Sequence, residues 1–252
     1  VFFRQPDKLV QAIKDKKTLV SIALFALFGL VLNQYAYLSA IQYTNAGTAT
    51  VLQYVTPVLI LAFVCAKHRR LPTAAELVAI TMAIVGTFII ATHGQLTELA
   101  ITPLGLFWGL SSAVTYALYI LLPAKAIEKW GSLIVIGLGL LLGGLIFPIA
   151  IQAWRYELPL TSGNLLALFG LVFIGTVFAY TIFLKGTTMV GAVKGSLLAS
   201  VEPVASVILT VLIMGDHFFA IDVIGMILIV LAVIIISLKN LVALKKQGKI
   251  QR

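Results

Sequence analysis

Long apolar stretches, each close to the length of a membrane-spanning helix, are the feature that most limits how this chain can fold. A helix needs about 20 predominantly apolar residues to cross the hydrocarbon layer. Such stretches run Thr18–Leu38, Ala46–Ala66, Leu77–Thr92, Pro103–Leu122, Ser132–Ile151, Asn164–Leu184, Gly191–Met214 and Ala220–Leu238. The chain is 61% hydrophobic and 11% charged, and a soluble protein of 252 residues has too small a core to bury that much apolar surface. The sequence therefore predicts an all-α integral membrane protein with about eight transmembrane helices.

The basic residues predict how these eight segments are oriented. If successive segments alternate in direction, 17 of the 18 Lys and Arg residues lie on one side of the membrane, and Arg155 lies on the other. In membrane proteins the cytoplasmic loops carry the excess of Lys and Arg. We therefore expect a multi-pass protein of the cell membrane with both ends in the cytoplasm. This pattern accounts for the net charge of +9, so the expected partner is the lipid bilayer and not nucleic acid.

A shift of 146 residues aligns the first three segments with the last three without a gap. Pro57 then falls on Pro203, and Glu76 falls on Asp222. The sixth segment runs in the opposite direction to the first, so the two copies are expected to be inverted relative to each other. Inverted repeats are a recurring feature of secondary transporters, in which two similar parts rock about a central site.

The residues of this repeat resemble those of a known family, the EamA-type drug/metabolite transporters. The similar stretches are Asn45–Ala46, Pro57, Gly86, Gly191–Ala192, Ser200–Pro203, Leu212–Asp216 and Asp222–Gly225. The resemblance implies a bundle of ten helices in two inverted repeats of five, of which this chain would supply the third to the tenth. Residues 1–98 would then be the remainder of the first repeat, with three helices. Residues 99–252 would be the second repeat, with five helices and a basic cytoplasmic tail.

The same resemblance implies a function. It suggests a secondary transporter, and more narrowly an exporter, of small organic metabolites such as amino acids, working by alternating access. An exchanger of nucleotide sugars is an alternative, although it would need more basic side chains in its cavity. A membrane enzyme is a further alternative, but it would need clustered catalytic groups near one interface, and none is visible in the sequence. A structural or signalling membrane protein is another, but it has no need of an inverted repeat.

Pro57 and Pro203 lie near the middle of the second and seventh segments. A proline removes one backbone N–H and frees the carbonyl four residues earlier, which here belongs to Gln53 and Ala199. In lipid such a gap is tolerated where protein or water satisfies the freed group. The prolines therefore indicate either kinks that open beside a substrate cavity or kinks that improve packing.

Glu202 is an acidic residue well inside an apolar segment, directly before Pro203. An unpaired carboxylate there is costly, so it should meet a cation, a hydrogen-bond donor or water, or be protonated. Glu202 is thus a candidate for the substrate pathway, with proton coupling or a structural pairing as alternatives. Lys194 either extends to the cytoplasmic interface or holds the carboxylate of an anionic or amino-acid substrate.

The other polar side chains concentrate in the first, second, fourth and sixth segments. We therefore expect these segments and the seventh around a polar cavity, with the third, fifth and eighth toward lipid. The candidate pathway residues are Asn33, Tyr37, Gln53, Tyr54, Pro57, Tyr116, Tyr180, Lys194, Glu202 and Pro203.

Motifs for several other kinds of site are missing from the sequence. No Gly-Lys-Ser/Thr follows Gly186 and Gly191, as a phosphate-binding loop requires, and the three histidines have no second ligand at metal spacing. We therefore expect that the chain is not an enzyme and that it needs no cofactor or metal. Small residues four apart, as in Gly139 and Gly143, permit close helix approach and suggest a homodimer.

Overall fold

The computed structural model describes residues 6–67, 69–92, 101–155, 159, 161–179, 182 and 202–246, and the regular elements of these residues are helices. A short helix, α1, precedes the eight segments, which correspond in order to α2 to α9. The bounds are α1 Pro6–Lys14, α2 Lys16–Tyr43, α3 Ala46–Lys67, α4 Ala74–Thr92, α5 Pro103–Trp130, α6 Ser132–Ala150, α7 Ser162–Gly175, α8 Glu202–Met214 and α9 Ala220–Lys246.

Six helices in the described part of the chain, α2 to α6 and α9, are long and apolar enough to cross a membrane. Two shorter apolar helices, α7 and α8, accompany them. The prediction of an all-helical membrane protein is confirmed in this form. The predicted start of the seventh segment at Gly191 lies outside the described residues, as do Tyr180 and Lys194.

Side-chain caps determine where several helices begin. At the start of α3, Asn45 Oδ1 accepts a hydrogen bond of 2.8 Å from the N–H of Thr48. At the start of α5, Thr102 Oγ1 accepts one of 3.0 Å from the N–H of Gly105, and Pro103 occupies the first turn. These bonds satisfy N–H groups that the first turn of a helix leaves without a partner.

Three helices depart locally from α-helical geometry. α2 contains a π-helical stretch at Phe25–Val31, and α7 runs into another at Gly170–Phe178. α3 is α-helical over Ala46–Gln53 and Thr56–Lys67, with a turn between them. Such irregular turns within a helix often occur at functional sites.

α4 and α9 form the most extensive helix pair in the described part of the chain. They cross at Gly86 and Gly225, where a Cβ on Gly86 would lie 2.6 Å from the Gly225 carbonyl oxygen. The start of α4 meets the end of α9, since Lys239 Nζ lies 2.5 Å from Thr73 Oγ1. The two helices are therefore antiparallel. Each buries one face on the other and exposes large apolar side chains on its outer face, such as Ile84 and Ile224, so the expectation that both lie toward lipid stays a prediction.

Further helix contacts complete the bundle and position the polar groups. α5 packs against α2 and α3, and α8 packs against the first part of α3. α6 packs on α2, where Gly139 lies against the ring of Phe25 and Gly143 lies near Leu30. The Gly139 and Gly143 spacing thus serves packing within one chain, so it no longer supports a homodimer.

Candidate functional site

The break in α3 lies where Pro57 frees the carbonyl of Gln53. The Thr56 side chain is fully buried, and its hydroxyl lies 2.6 Å from the Gln53 carbonyl oxygen and 2.8 Å from the Ala113 carbonyl oxygen of α5. A hydroxyl has one proton, so it donates to one of these carbonyls at a time. Thr56 therefore satisfies the freed carbonyl and links the broken helix to α5.

Tyr54 stands at this break and meets the start of the described part of α8. Its phenol donates a hydrogen bond of 2.6 Å to Glu202 Oε2. Glu202 is exposed, although its position within an apolar segment suggests burial. Pro203 beside it is fully buried. The contact brings together residues near the two prolines that the 146-residue shift aligns.

A second set of hydroxyl groups lies one turn earlier on α3. Thr50 donates to the Ala46 carbonyl oxygen at 2.7 Å, so its oxygen is left to accept two further bonds. Tyr37 of α2 lies 2.7 Å from Thr50 Oγ1, and Ser206 of α8 donates to the same atom at 3.1 Å. Thr50 is buried. It therefore joins three helices through one oxygen atom.

An amide pair lies between α2, α3 and α5. Gln53 Nε2 donates to Asn33 Oδ1 at 3.3 Å, and the Thr115 hydroxyl donates to the same oxygen at 3.0 Å. Next to Thr115 on α5, the ring of Tyr116 stacks on that of Tyr119 with centroids 5.5 Å apart. Carboxylate, amide and hydroxyl groups thus line the contacts among α2, α3, α5 and α8, where they can bind a polar solute.

The structure brings some of the candidate residues together and leaves others apart. Hydrogen bonds join Tyr54 to Glu202 and Gln53 to Asn33. Among the described residues, Tyr37 is linked to α8 only through Thr50 and Ser206. Sequence reasoning missed Ser206 and the roles of Thr50 and Thr56. The four-residue spacings from Thr50 to Tyr54 and from Glu202 to Ser206 are the signal that places these pairs on shared helix faces.

An ion cluster that the sequence did not single out, centred on the buried Glu76, joins the start of α4 to the end of α9. Arg70 binds both carboxylate oxygens of Glu76 at 2.8 and 2.9 Å, and Lys239 Nζ lies 2.7 Å from Glu76 Oε1. The N–H of Thr73 donates to Glu76 at 2.8 Å, which is half of a capping box. Hydrogen bonding to Glu76 raises the pKa of the Arg70 guanidinium above its ordinary value.

Comparisons with known proteins agree with this architecture. The model of the EamA-like transporter family matches residues 1–92 and 103–238. The chain is 36% identical over 238 residues to "Uncharacterized inner membrane transporter YicL" of Salmonella typhimurium, and the aligned region covers 94% of this chain and 79% of that protein. It is 24% identical over 224 residues to an "Uncharacterized transporter" of Archaeoglobus fulgidus, covering 88% of this chain and 77% of that protein.

One further relative and one solved structure extend the comparison. An "Uncharacterized transporter" of Clostridium kluyveri is 25% identical over 202 residues, covering 78% of this chain and 65% of that protein. A solved crystal structure superposes with a TM-score of 0.53 at 19% identity, covering 86% of this chain and 75% of that chain, which shows a shared fold. The resemblance inferred from the sequence is confirmed, as is the prediction of a transporter and not an enzyme. The chain belongs to the EamA-like transporter family.

Proposed function

We propose that this chain is a secondary transporter of the inner cell membrane that exports small organic metabolites, such as amino acids, by alternating access. The observation that carries the proposal is the hydrogen bond of 2.6 Å between Tyr54 and Glu202. It joins α3, at the turn before Pro57, to the first described residue of α8, which is next to Pro203. Helices interrupted in this way form the binding sites of many secondary transporters.

Two inverted repeats, residues 1–98 and 99–252, are part of this proposal. Glu76 and Asp222, which are 146 residues apart, both occupy the third position of their helices. Each accepts a hydrogen bond from the N–H three residues earlier, at 2.8 Å in α4 and 3.1 Å in α9. The π-helical stretches Phe25–Val31 and Gly170–Phe178 also coincide under this shift. The antiparallel packing of α4 on α9 supports the inversion, because equivalent helices of inverted repeats run in opposite directions.

The proposed orientation places both ends of the chain in the cytoplasm. Lys239 near the end of α9 pairs with Glu76 at the start of α4, and Lys129 at the end of α5 pairs with Asp15 before α2. These two contacts support one shared basic side of the bundle. Lys and Arg concentrate on the cytoplasmic side of membrane proteins.

The proposed substrate site has one carboxylate surrounded by hydroxyl and amide groups. An amino group bound by Glu202 would compete with the Tyr54 phenol for the same oxygen, which would loosen the contact between α3 and α8. The polar groups described above at this contact are uncharged apart from Glu202, and Lys194 lies outside the described residues. This chemistry favours amino compounds over nucleotide sugars, whose phosphates would need cationic side chains.

Flux measurements on the protein in proteoliposomes test the proposal. Labelled amino acids and amines are loaded with and without a pH gradient, and their exit is followed with time. We expect at least one solute to move and Glu202→Gln to slow it, whereas Glu128→Gln, at an exposed acid on the end of α5, leaves the rate unchanged. If the folded protein moves no solute of the panel, with or without the pH gradient, the proposal is wrong. If the two variants behave alike, Glu202 is not part of the pathway.

A further inference from the structure

The short helix α1 lies across the ends of α5 and α6 on the basic side of the bundle. One face is buried, with Leu9 at 5% and Ala12 at 0% exposure, packed against Ile134. The adjacent face leaves Val10 and Ile13 exposed at 49% and 44%. A helix with an inner face on protein and exposed apolar residues beside lysines has the composition of a helix at a membrane interface.

The turn between α1 and α2 is fixed by side-chain contacts. Asp15 caps α2 and accepts hydrogen bonds of 2.7 Å from both Lys129 and Thr18. These bonds hold the pKa of Asp15 well below its usual range. The indole of Trp130 donates to the Thr18 hydroxyl at 2.8 Å. Asp15 thus pairs with Lys129, and Trp130 is held beside this turn.

The lysines around this turn outnumber the acids. Residues 7–17 and 124–130 contain six lysines and three acids. We name this surface the basic corner; its lysines are Lys8, Lys14, Lys16, Lys17, Lys125 and Lys129. All six are exposed. Since Asp15 pairs with Lys129, the three lysines that flank Asp15 along the chain keep their charge directed outward.

We propose that the basic corner binds the headgroups of anionic phospholipids. The exposed Val10 and Ile13 enter the acyl layer beside the headgroup, while Lys14, Lys16 and Lys17 contact its phosphate. Each lysine near an anionic membrane surface favours binding by about 1 kcal/mol, or about fivefold. The corner therefore gathers anionic lipid around α1, and zwitterionic lipid is a poorer partner there.

Brominated lipids, which quench tryptophan fluorescence on contact, test this assignment. The chain has three tryptophans, so Trp108→Phe with Trp154→Phe leaves Trp130 as the reporter of the corner. Trp130→Phe with Trp154→Phe leaves Trp108 of α5 as the matched control, since residues 101–124 contain no Lys or Arg. Each variant is reconstituted with phosphatidylcholine or phosphatidylglycerol at equal mole fraction, with bromine at the same acyl position.

We expect brominated phosphatidylglycerol to quench Trp130 several-fold more efficiently than brominated phosphatidylcholine, and to quench Trp108 equally. The preference at Trp130 should vanish at high salt and in the Lys14→Gln, Lys16→Gln, Lys17→Gln variant. Equal quenching of Trp130 by the two lipids would overturn the proposal, and so would a preference that salt leaves unchanged. The salt series needs no lysine substitution, so it decides the matter even if the triple variant folds poorly.

Discussion

Tyr54 and Glu202 are 148 residues apart in the chain, yet the phenol of one donates a hydrogen bond of 2.6 Å to the carboxylate of the other. A bond to a charged group contributes about 1.5–3 kcal/mol. If transport uses this contact, Tyr54→Phe and Glu202→Gln should each slow solute flux by about tenfold or more. The double variant should be no slower than the slower single one, because both remove the same interaction. The control is Tyr43→Phe, at an exposed tyrosine of α2. If the losses of flux from Tyr54→Phe and Glu202→Gln add in the double variant, the two residues do not share a role.

Thr56→Val should destabilise the protein by about 1–3 kcal/mol. Valine has the shape of threonine but no hydroxyl, so the Gln53 carbonyl beside Pro57 would lose its donor inside the bundle. Thermal unfolding in detergent measures the loss. Thr81→Val is the matched control, because the Thr81 hydroxyl is exposed and bonds only to its own helix. Equal stability of the two variants would show that the break in α3 does not depend on Thr56.

Gly86→Ala should also lower stability, by about 1–3 kcal/mol, because its Cβ would lie 2.6 Å from the Gly225 carbonyl oxygen and would force α4 and α9 apart. Gly137→Ala in α6 is the control, since no atom of the described residues lies within 4 Å of its Cβ position. Alanine forms helix more readily than glycine by about 1 kcal/mol. The control variant should therefore be neutral or more stable. A neutral Gly86→Ala would mean that the two helices separate without cost.

Glu76→Gln should cost about 1–3 kcal/mol, measured as a shift in the midpoint of thermal unfolding. The Glu76 side chain is 5% exposed, and its partners Arg70 and Lys239 are 39% and 33% exposed. Losing the buried carboxylate therefore leaves an exposed arginine and a half-buried lysine without their partner. Lys129→Gln is the control, because that lysine is 60% exposed and exposed pairs contribute about 0–1 kcal/mol. A larger loss from Lys129→Gln would contradict this ranking.

The charge of Asp15 should stabilise the protein at all but strongly acidic pH. Hydrogen bonds from Lys129 and Thr18 lower the pKa of Asp15 from its ordinary 3.8. A lowered pKa contributes stability above the ordinary value, and that stability is lost as the pH falls toward the folded-state value. The unfolding midpoints of wild type and Asp15→Asn should keep a constant difference from pH 7 to 5 and converge below pH 4. Asparagine still caps the helix, so convergence between pH 7 and 5 would refute the assignment.

Apolar length and proline position were enough to predict much of this structure. The predicted segments Ala46–Ala66 and Ser132–Ile151 correspond to the helices Ala46–Lys67 and Ser132–Ala150. The agreement is close because the hydrocarbon layer fixes the length of a spanning helix. The carbonyl freed by Pro57 was predicted from covalent structure alone. These features depend on local chemistry, so one sequence is sufficient to find them.

Contacts between distant helices could not be predicted in the same way. The bond from Tyr54 to Glu202 depends on how α3 and α8 rotate about their axes, and the pairing of Lys239 with Glu76 depends on which helix lies beside α4. The predicted segments Leu77–Thr92 and Ala220–Leu238 are almost purely apolar, so they indicated lipid contact. The glycines that let α4 and α9 meet closely carry no polar signal. The exposed position of Glu202 likewise follows from the packing around α8 and not from its place in an apolar run.

The pair formed by α4 and α9 has a mechanical consequence. The helices touch backbone to backbone at Gly86 and Gly225, and Glu76 and Lys239 bind them again near one end. Two helices that are held together at two separate points can neither slide past each other nor change their crossing angle freely. We therefore expect α4 and α9 to move together as one unit, so that a rearrangement of the bundle takes place where other helices move against this pair.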